Sequence, residues 1–179
     1  MIDFERVTTR GGDRGESSLF NGERRPKSDL LFAALGDLDE LSSALGLTRA
    51  VVREANRKRE LYECQQVLFK IGAQVATPEH DPMYRRLELI EDADLELLEE
   101  RQERLMRRVV LSNQFITPGD TAMSAHCDLA RAVCRRTERT VVMCIRTHGL
   151  THLAPAQNYL NRMSDYLFVL ARYLEQHHE

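Results

Sequence analysis

A row of arginines on one predicted helix is the first feature of this sequence that could do chemistry. A helix that opens at Thr121 and runs to about Thr147 turns by roughly 100° per residue. At that spacing one face carries Arg131, Arg135, Glu138, Arg139 and Val142, apart from an apolar stripe. Guanidinium groups bind phosphate and carboxylate oxygens through paired hydrogen bonds. The face is therefore either an oxyanion-binding surface or a solvated one on which Arg135 and Glu138 pair locally.

The last helix carries a second polar row. Its sequence YLFVLARYL is apolar around most of the circumference, which is typical of a helix covered by its neighbours. The row contains Asn161, Asp165, Phe168 and Arg172. Asn161 and Asp165 would then be partly buried, and buried polar groups need hydrogen-bonding partners. We interpret the two rows as two walls of one polar site.

The first 28 residues supply a candidate third wall. They contain four of the nine glycines, several hydroxyl side chains and no apolar period, which predicts a flexible loop. Glycine-rich backbone beside Arg10, Arg14 and Lys27 suits a phosphate. Neither a GxxxxGKS/T phosphate loop nor a GxGxxG dinucleotide motif is present, so the segment alone also fits a basic loop without a ligand.

Five amphipathic helices are predicted to position these rows. Ser28 is a candidate N-cap for the first, whose leucines recur at three- and four-residue steps from Leu31 to Leu45. The others are predicted from Glu60 to Ala76, from Asp92 as cap to about Val110, from Thr121 to about Thr147, and from Ala154 almost to the end. With no convincing strand pair, we expect an all-α five-helix bundle, one domain over residues 1–179 that begins with the flexible loop at 1–28.

Composition and charge argue against several classes of protein. The 179 residues are 42% hydrophobic and 30% charged, as in one globular domain and unlike a disordered chain. A net charge of -3 weakens any reading as a general nucleic-acid binder. No apolar run reaches the roughly 20 residues of a membrane span, and the charged N-terminus does not resemble a signal peptide. We therefore expect a cytoplasmic protein.

The cysteines and histidines carry no strong metal signal. No CxxC pair occurs among Cys64, Cys127, Cys134 and Cys144, so reduced, buried thiols are the simpler interpretation. His148 and His152 are four residues apart across Gly149 without a third ligand nearby. A cluster at a helix end is favoured there over a metal pair.

Five ordered blocks resemble the PduO-type ATP:cob(I)alamin adenosyltransferases, or corrinoid adenosyltransferases. The blocks are TRGGDRGESSLFNGERRPK, ALGDLDELSSALG, FITPGD, ARAVCRRTER and LNRMSDYLFVLAR, and only Asn56 to about Ser112 carries little of the family pattern. The resemblance implies a homotrimer of helical bundles with active sites between subunits. It also implies transfer of the 5′-deoxyadenosyl group of ATP to the cobalt of a reduced corrinoid, with release of triphosphate.

The resemblance further implies which molecules meet the protein. ATP is the co-substrate, cobalamin is the corrinoid substrate, and Mg²⁺ accompanies the nucleotide phosphates. A flavoprotein reductase would supply the electron, and an adenosylcobalamin-dependent enzyme would receive the product. Neither nucleic acid nor a membrane is expected as a partner.

By family position, one set of residues binds ATP and an overlapping set acts in catalysis. The ATP set is Thr9, Arg10, Gly11, Gly12, Ser17, Lys27, Arg135, Arg136, Glu138, Arg139 and Asn161. The catalytic set is Lys27, Asp39, Phe115, Arg131, Arg135 and Asp165. Asp39 would pair with Arg131 across the subunit interface, and Phe115 would occupy the lower face of the corrin. Arg10 and Gly11 depart from the family's TKTGD pattern, which could raise the ATP requirement.

The chemistry implied by the resemblance explains these residue types. Displacement at C5′ by Co(I) needs no general base, and negative charge builds on the leaving oxygen, where Lys27, Arg10 and Arg135 would stabilise it. Phe115 has no ligand atom, so it would leave cobalt four-coordinate and easier to reduce; otherwise it is an ordinary core aromatic. Two other functions stay open: a non-catalytic carrier or sensor of corrinoid or nucleotide, and a helical interaction protein with a solvated arginine face.

Overall fold

The protein is a five-helix bundle, as expected. The structure is a computed structural model that describes residues 8–177, so the first seven residues of the predicted loop lie outside the described part. Within it the long helices are α1 (Leu30–Val51), α2 (Ala55–Val75), α3 (Asp92–Met106), α4 (Ala122–His148) and α5 (Ala154–Gln176). Short 3₁₀ turns occur at Tyr84–Arg86 and Thr151–Leu153. None of the described helices combines the length and the hydropathy that a membrane crossing needs.

Four helix ends differ from the prediction; one is the start of α3, where Glu91 and not Asp92 is the N-cap, in a capping box with Asp94. Asp29, not Ser28, caps α1, because its carboxylate accepts a hydrogen bond from the Leu31 amide at 2.9 Å. Helix α2 begins five residues before Glu60, in a charged first turn that has no apolar period to reveal it. Helix α3 ends at Met106 and not near Val110, whose amide instead donates to Gln176 Oε1 on α5 at 3.0 Å.

The N-terminal segment contains a short hairpin, which corrects the expectation of no strand pair. Strand β1 (Glu16–Ser18) pairs antiparallel with β2 (Arg24–Pro26), in a register that places Ser17 opposite Arg25. Gly22, at φ 86°, makes the turn between them. Leu19 is buried in the core, and the Phe20 amide donates to the Ala76 carbonyl at the end of α2. Strands of three residues are too short to show an alternating pattern in the sequence.

The helices pack so that α5 lies against α3 and α4, while α1 lies against α2 and α4. The predicted apolar stripes face this core. Buried members are Leu31, Leu38, Leu41, Leu45, Leu61, Cys64, Leu68, Ile71, Val75, Ala130, Cys134, Thr137, Val141, Cys144, Leu160, Met163, Leu167, Leu170 and Leu174. The arginine row of α4 and the polar row of α5 are thus carried by two helices in direct contact.

All four cysteines are free and buried, as the sequence predicted. Burial raises the pKa of Cys64 and of Cys144 to about 11. The thiols of Cys127 and Cys134 donate to the carbonyls of Leu167 and Leu160 on α5. These thiols therefore act as small packing groups between helices.

Candidate active site

The two polar rows meet through one hydrogen bond between α4 and α5. Asn161 Nδ2 donates to Glu138 Oε1 at 3.1 Å, so Glu138 reaches across to α5 and does not pair with Arg135. Arg135 and Arg139 are exposed beside this contact, and Arg139 Nη1 donates to the Arg135 carbonyl at 3.0 Å. The surface therefore presents two exposed guanidiniums, neither in an ion pair within residues 8–177, next to a fixed amide–carboxylate pair.

The α5 row is only partly as expected. Asn161 is half-buried, and its Oδ1 also accepts from Arg162 Nη1 at 2.9 Å, which confirms a partly buried, partnered amide. The prediction that Asp165 is partly buried was wrong, because its side chain is 50% exposed. Asp165 lies beside Arg162 in an open groove between α3 and α5, where the facing α3 residues leave it uncovered. Its carboxylate is thus accessible to a ligand.

Arg136 extends from α4 towards α1, whereas Arg135 is exposed beside the contact that α4 makes with Asn161 on α5. Its Nε is 3.4 Å from Asp37 Oδ1, and its Nη2 pairs with Glu40, both on α1. Thr140, one turn later, also donates to Asp37, at 2.6 Å. Within the chain Arg136 ties α4 to α1, and its assignment to the ATP set stays a prediction.

The glycine-rich segment before β1 forms a compact loop at the open end of the hairpin. The Gly11 amide bonds to Thr9 Oγ1 at 3.4 Å, and the Gly11 carbonyl accepts from Arg24 Nη2 at 2.9 Å. The Lys27 amide donates to the Gly15 carbonyl at 2.8 Å, which brings the lysine back over the loop. Arg10 has a positive φ of 55°. Exposed backbone with an ammonium group over it can hold an oxyanion.

Replacing Gly12 with alanine is expected to disturb ATP binding and to leave stability almost unchanged. A Cβ at this position would lie 2.8 Å from Lys27 Nζ and 3.1 Å from its Cε. The far end of a flexible side chain can move away at little cost, and the ammonium group then leaves the loop. We expect the KM for ATP to rise on the order of tenfold, because the charge-assisted contact to phosphate predicted for Lys27 would be lost. Gly36→Ala, where a Cβ meets open space on α1, is the matched control; an unchanged KM would contradict the placement of Lys27.

The loop and the helical rows make no direct polar contact with each other within the described residues. In the described residues no hydrogen bond or ion pair joins the segment from Thr9 to Gly15, Ser17 or Lys27 to Arg135, Glu138, Arg139 or Asn161. The assignment of both groups to one ATP site therefore stays a prediction, in which a bound ligand or a second copy of the chain would have to connect them.

Three further candidates lie on the surface. Phe115 is fully exposed in the connection between α3 and α4, which excludes a core role within the chain. Asp39 is exposed at the edge of an apolar groove of about 280 Å³ lined by Phe20, Leu35 and Phe69. Arg131 is 29% exposed and pairs with Asp128, so Asp39 and Arg131 do not meet within one chain. An exposed aromatic ring and an exposed carboxylate are available to a ligand or a second subunit.

Sequence reasoning missed Asp37 and Asp128. Asp128 is buried and bonds to Arg131 and Arg172. Asp37 forms an ion pair with Arg136 and accepts a hydrogen bond from Thr140. The signal for Asp128 was its position three residues before Arg131 on a predicted helix. Asp37 gave no such signal, because its partners are about 100 residues away.

The two histidines of the i, i+4 pair lie near different carboxylates. His148 Nε2 lies 3.8 Å from Asp29, and His152 Nδ1 lies 3.6 Å from Glu79. Nowhere between residues 8 and 177 do three or more His, Cys, Asp or Glu side chains gather as a metal cluster would require. Mg²⁺ bound to nucleotide phosphates needs no such cage, because it keeps several waters and takes few protein ligands.

Known proteins resemble this chain over almost its whole length. Residues 7–174 match the cobalamin adenosyltransferase family. A corrinoid adenosyltransferase of Citrobacter freundii is 38% identical over 167 residues, which cover 93% of each chain. The corrinoid adenosyltransferase MMAB of Homo sapiens is 39% identical over 172 residues, which cover 94% of this chain and 68% of that one.

Solved structures agree with these sequence relationships. A variant of the PduO-type ATP:corrinoid adenosyltransferase from Lactobacillus reuteri, complexed with cobalamin and ATP, has a TM-score of 0.85 at 31% identity and covers 95% of this chain and 93% of that one. Another variant of the same protein, complexed with ATP, also has a TM-score of 0.85 at 31% identity. With a family match over residues 7–174 and a shared bundle, the chain belongs to the cobalamin adenosyltransferase family.

Proposed function

We propose that this chain transfers the 5′-deoxyadenosyl group of ATP to the cobalt of a reduced corrinoid such as cob(I)alamin. Its function as a corrinoid adenosyltransferase follows from family membership across nearly the whole chain, which is the observation that carries the proposal. Two variants of the Lactobacillus reuteri relative are complexed with cobalamin and ATP, and with ATP, respectively. The exposed Arg135 and Arg139 beside the Glu138–Asn161 bond provide a surface suited to a nucleotide polyphosphate.

The reaction is a displacement at C5′. The electron pair of Co(I) forms the cobalt–carbon bond, and the bond from C5′ to the triphosphate oxygen breaks with its electrons on that oxygen. Arg135, Lys27 and Arg10 stabilise the developing negative charge, since fixed cations near a leaving oxyanion lower the barrier. No proton has to be removed, so the absence of a general base in this set is consistent with the reaction.

The remaining ATP residues hold the nucleotide in place. Thr9, Gly11, Gly12 and Ser17 offer backbone and hydroxyl groups in the loop, and Mg²⁺ enters with the phosphates and shields their charge. The bond from Asn161 to Glu138 fixes the orientation of both side chains before ATP arrives. Arg139 adds positive charge one turn after Arg135, whereas Arg136, which pairs with Asp37 and Glu40 on α1, belongs to the ATP set by family position alone.

Phe115 and Asp165 act on the corrinoid side of the reaction. The exposed Phe115 ring fills the lower axial position of the corrin and provides no ligand atom, so cobalt stays four-coordinate and its reduction to Co(I) becomes easier. The exposed carboxylate of Asp165 contacts the same ligand region by family position. A flavoprotein reductase supplies the electron, and an adenosylcobalamin-dependent enzyme takes the product. Four reduced thiols fit a cytoplasmic setting for this chemistry.

The active site is completed between subunits of a homotrimer. The loop and the α4 row are not joined within one chain, and Asp39 and Arg131 are both accessible and unpaired with each other. We therefore place Asp39 of one subunit against Arg131 of the next. This ion pair would bring the loop of one subunit towards the arginine row of its neighbour.

Asp39→Asn is expected to weaken assembly or corrinoid handling more than ATP binding. The substitution keeps the size of the side chain and removes the charge that Arg131 would meet. We therefore expect a higher KM for corrinoid or a larger dissociation constant of the trimer. Sedimentation velocity and steady-state kinetics measure the two effects, with Asp92→Asn on α3 as the exposed control. A fall in ATP affinity alone would show that Asp39 is misplaced.

An anaerobic assay with ATP, Mg²⁺ and chemically reduced cobalamin tests the activity. The cobalt absorbance change and the released triphosphate are followed together, and equal amounts of both are expected. ATP binding without either signal would favour the carrier or sensor on the same bundle. Failure of nucleotide to protect residues 9–27 from proteolysis, with no turnover, would favour the interaction protein.

A further inference from the structure

A buried carboxylate and a second arginine lie behind Arg131. The Asp128 side chain is 4% exposed, and its Oδ1 accepts a hydrogen bond from Arg131 Nε at 3.2 Å. Its Oδ2 accepts from Nη2 of Arg172, whose side chain is also 4% exposed. Arg172 pairs in addition with Glu175 at 2.6 Å. The proposed reaction assigns no task to Asp128 or Arg172, although both are buried and charged.

One aromatic ring contacts both guanidiniums of this cluster. The Phe168 ring centroid lies 6.0 Å from Cζ of Arg131 and 5.5 Å from Cζ of Arg172. Cations are attracted to the ring face, but two cations at one ring also repel each other. The carboxylate of Asp128, bonded to both, offsets that repulsion. Removing it would leave Arg131 without its counter-charge and Arg172 paired with Glu175 alone.

These contacts hold the Arg131 side chain at Nε and leave its terminal nitrogens available. In the described part of the chain, the bond from Nε to Asp128 is the one hydrogen bond that Arg131 makes. Its terminal nitrogens Nη1 and Nη2 remain for another acceptor. An arginine on a long flexible stem loses much rotamer freedom when it binds, and a side chain already held at Nε loses less.

We propose that Asp128, Phe168 and Arg172 are positioning residues for Arg131, which hold its guanidinium ready for a carboxylate of a second subunit. The inference rests on the proposed function for what Arg131 does, and on the observed geometry for how it is held. Asp128 contributes most to the positioning of Arg131, because it alone bonds to both arginines.

A double-mutant cycle tests the coupling. The ratio kcat/KM for reduced cobalamin is measured in the unmodified protein, Asp128→Asn, Arg131→Ala and the double variant. We expect Asp128→Asn to lower the ratio by about tenfold when Arg131 is present and by less than about twofold when it is absent, because directly contacting residues are energetically coupled. The KM for ATP should change little. Equal losses in both backgrounds would overturn the proposal and leave Asp128 with a structural role.

A direct measurement tests how Arg131 is held, independently of what Arg131 does in the reaction. In protein labelled with ¹⁵N-arginine, the Nε–Hε signal of Arg131 should exchange slowly with solvent, and Asp128→Asn should make it exchange fast, whereas Asp92→Asn should not. If Arg131→Ala has no effect on turnover while the signal is protected, the proposed role of Arg131 fails and the positioning stands. A signal that exchanges fast in the unmodified protein refutes the positioning itself. If Asp128→Asn does not fold, Phe168→Leu keeps the buried charges and the bond from Arg131 to Asp128, so its loss of kcat/KM should again depend on Arg131 while the Nε–Hε signal stays protected.

Discussion

Arg135→Ala is expected to lower turnover by at least about 100-fold, because the cation that we propose beside the leaving oxygen would be lost at the moment when charge develops there. Arg135 is exposed and makes no ion pair within residues 8–177. Its removal should therefore change the free energy of unfolding by no more than about 0.5 kcal/mol. We expect kcat to fall more than the affinity for ATP, since the contact strengthens in the transition state.

Arg146→Ala is the matched control for this prediction. Arg146 is exposed on the same helix, about 16 Å further along its axis, and has no assigned role. Circular dichroism should show the same helix content for both variants, and only Arg135→Ala should lose turnover. Near-normal activity of Arg135→Ala would contradict the assignment of the α4 row to the leaving triphosphate. Equal losses in both variants would indicate a general effect of positive charge on ATP binding.

Phe115→His is expected to lower turnover by about tenfold or more, which corresponds to roughly 1.4 kcal/mol in the barrier. The imidazole is close to phenyl in shape but offers a nitrogen that can bind cobalt in the lower axial position. A five-coordinate Co(II) is harder to reduce, so less Co(I) forms. Because the side chain is fully exposed, stability should change by no more than about 0.5 kcal/mol.

Phe115→Leu separates the loss of the ring from the gain of a ligand. Leucine is apolar and has no atom that binds cobalt, so this variant should keep more activity than Phe115→His. Electron paramagnetic resonance of Co(II)cobalamin on each variant reports the coordination of cobalt directly, and only Phe115→His should show an axial nitrogen. Equal activity of the two variants would mean that the ring acts by shape alone. Full activity of both would remove Phe115 from the mechanism.

The arginine row shows what periodicity can and cannot predict. The 3.6-residue repeat predicts correctly that Arg135 and Arg139 share an exposed face and that Asn161 is half-buried on a neighbouring helix. It does not predict that Glu138 bonds to Asn161 on α5 and not to Arg135 on its own helix, because the repeat does not show which of the two lies closer. Asp165 was misjudged for a related reason. An apolar helix predicts covering neighbours, but the gap between α3 and α5 leaves this position open.

Helix positions, apolar stripes and reduced thiols were determined by the sequence itself, because amphipathic spacing and residue type act locally along the chain. The ion pairs of Arg136 with α1, the Asp128 cluster behind Arg131, the full exposure of Phe115 and the docking of the hairpin on α2 were decided only by the tertiary structure. Each depends on the angle and distance at which two elements far apart in sequence pack together. Those quantities are set by the whole core, and no local pattern records them.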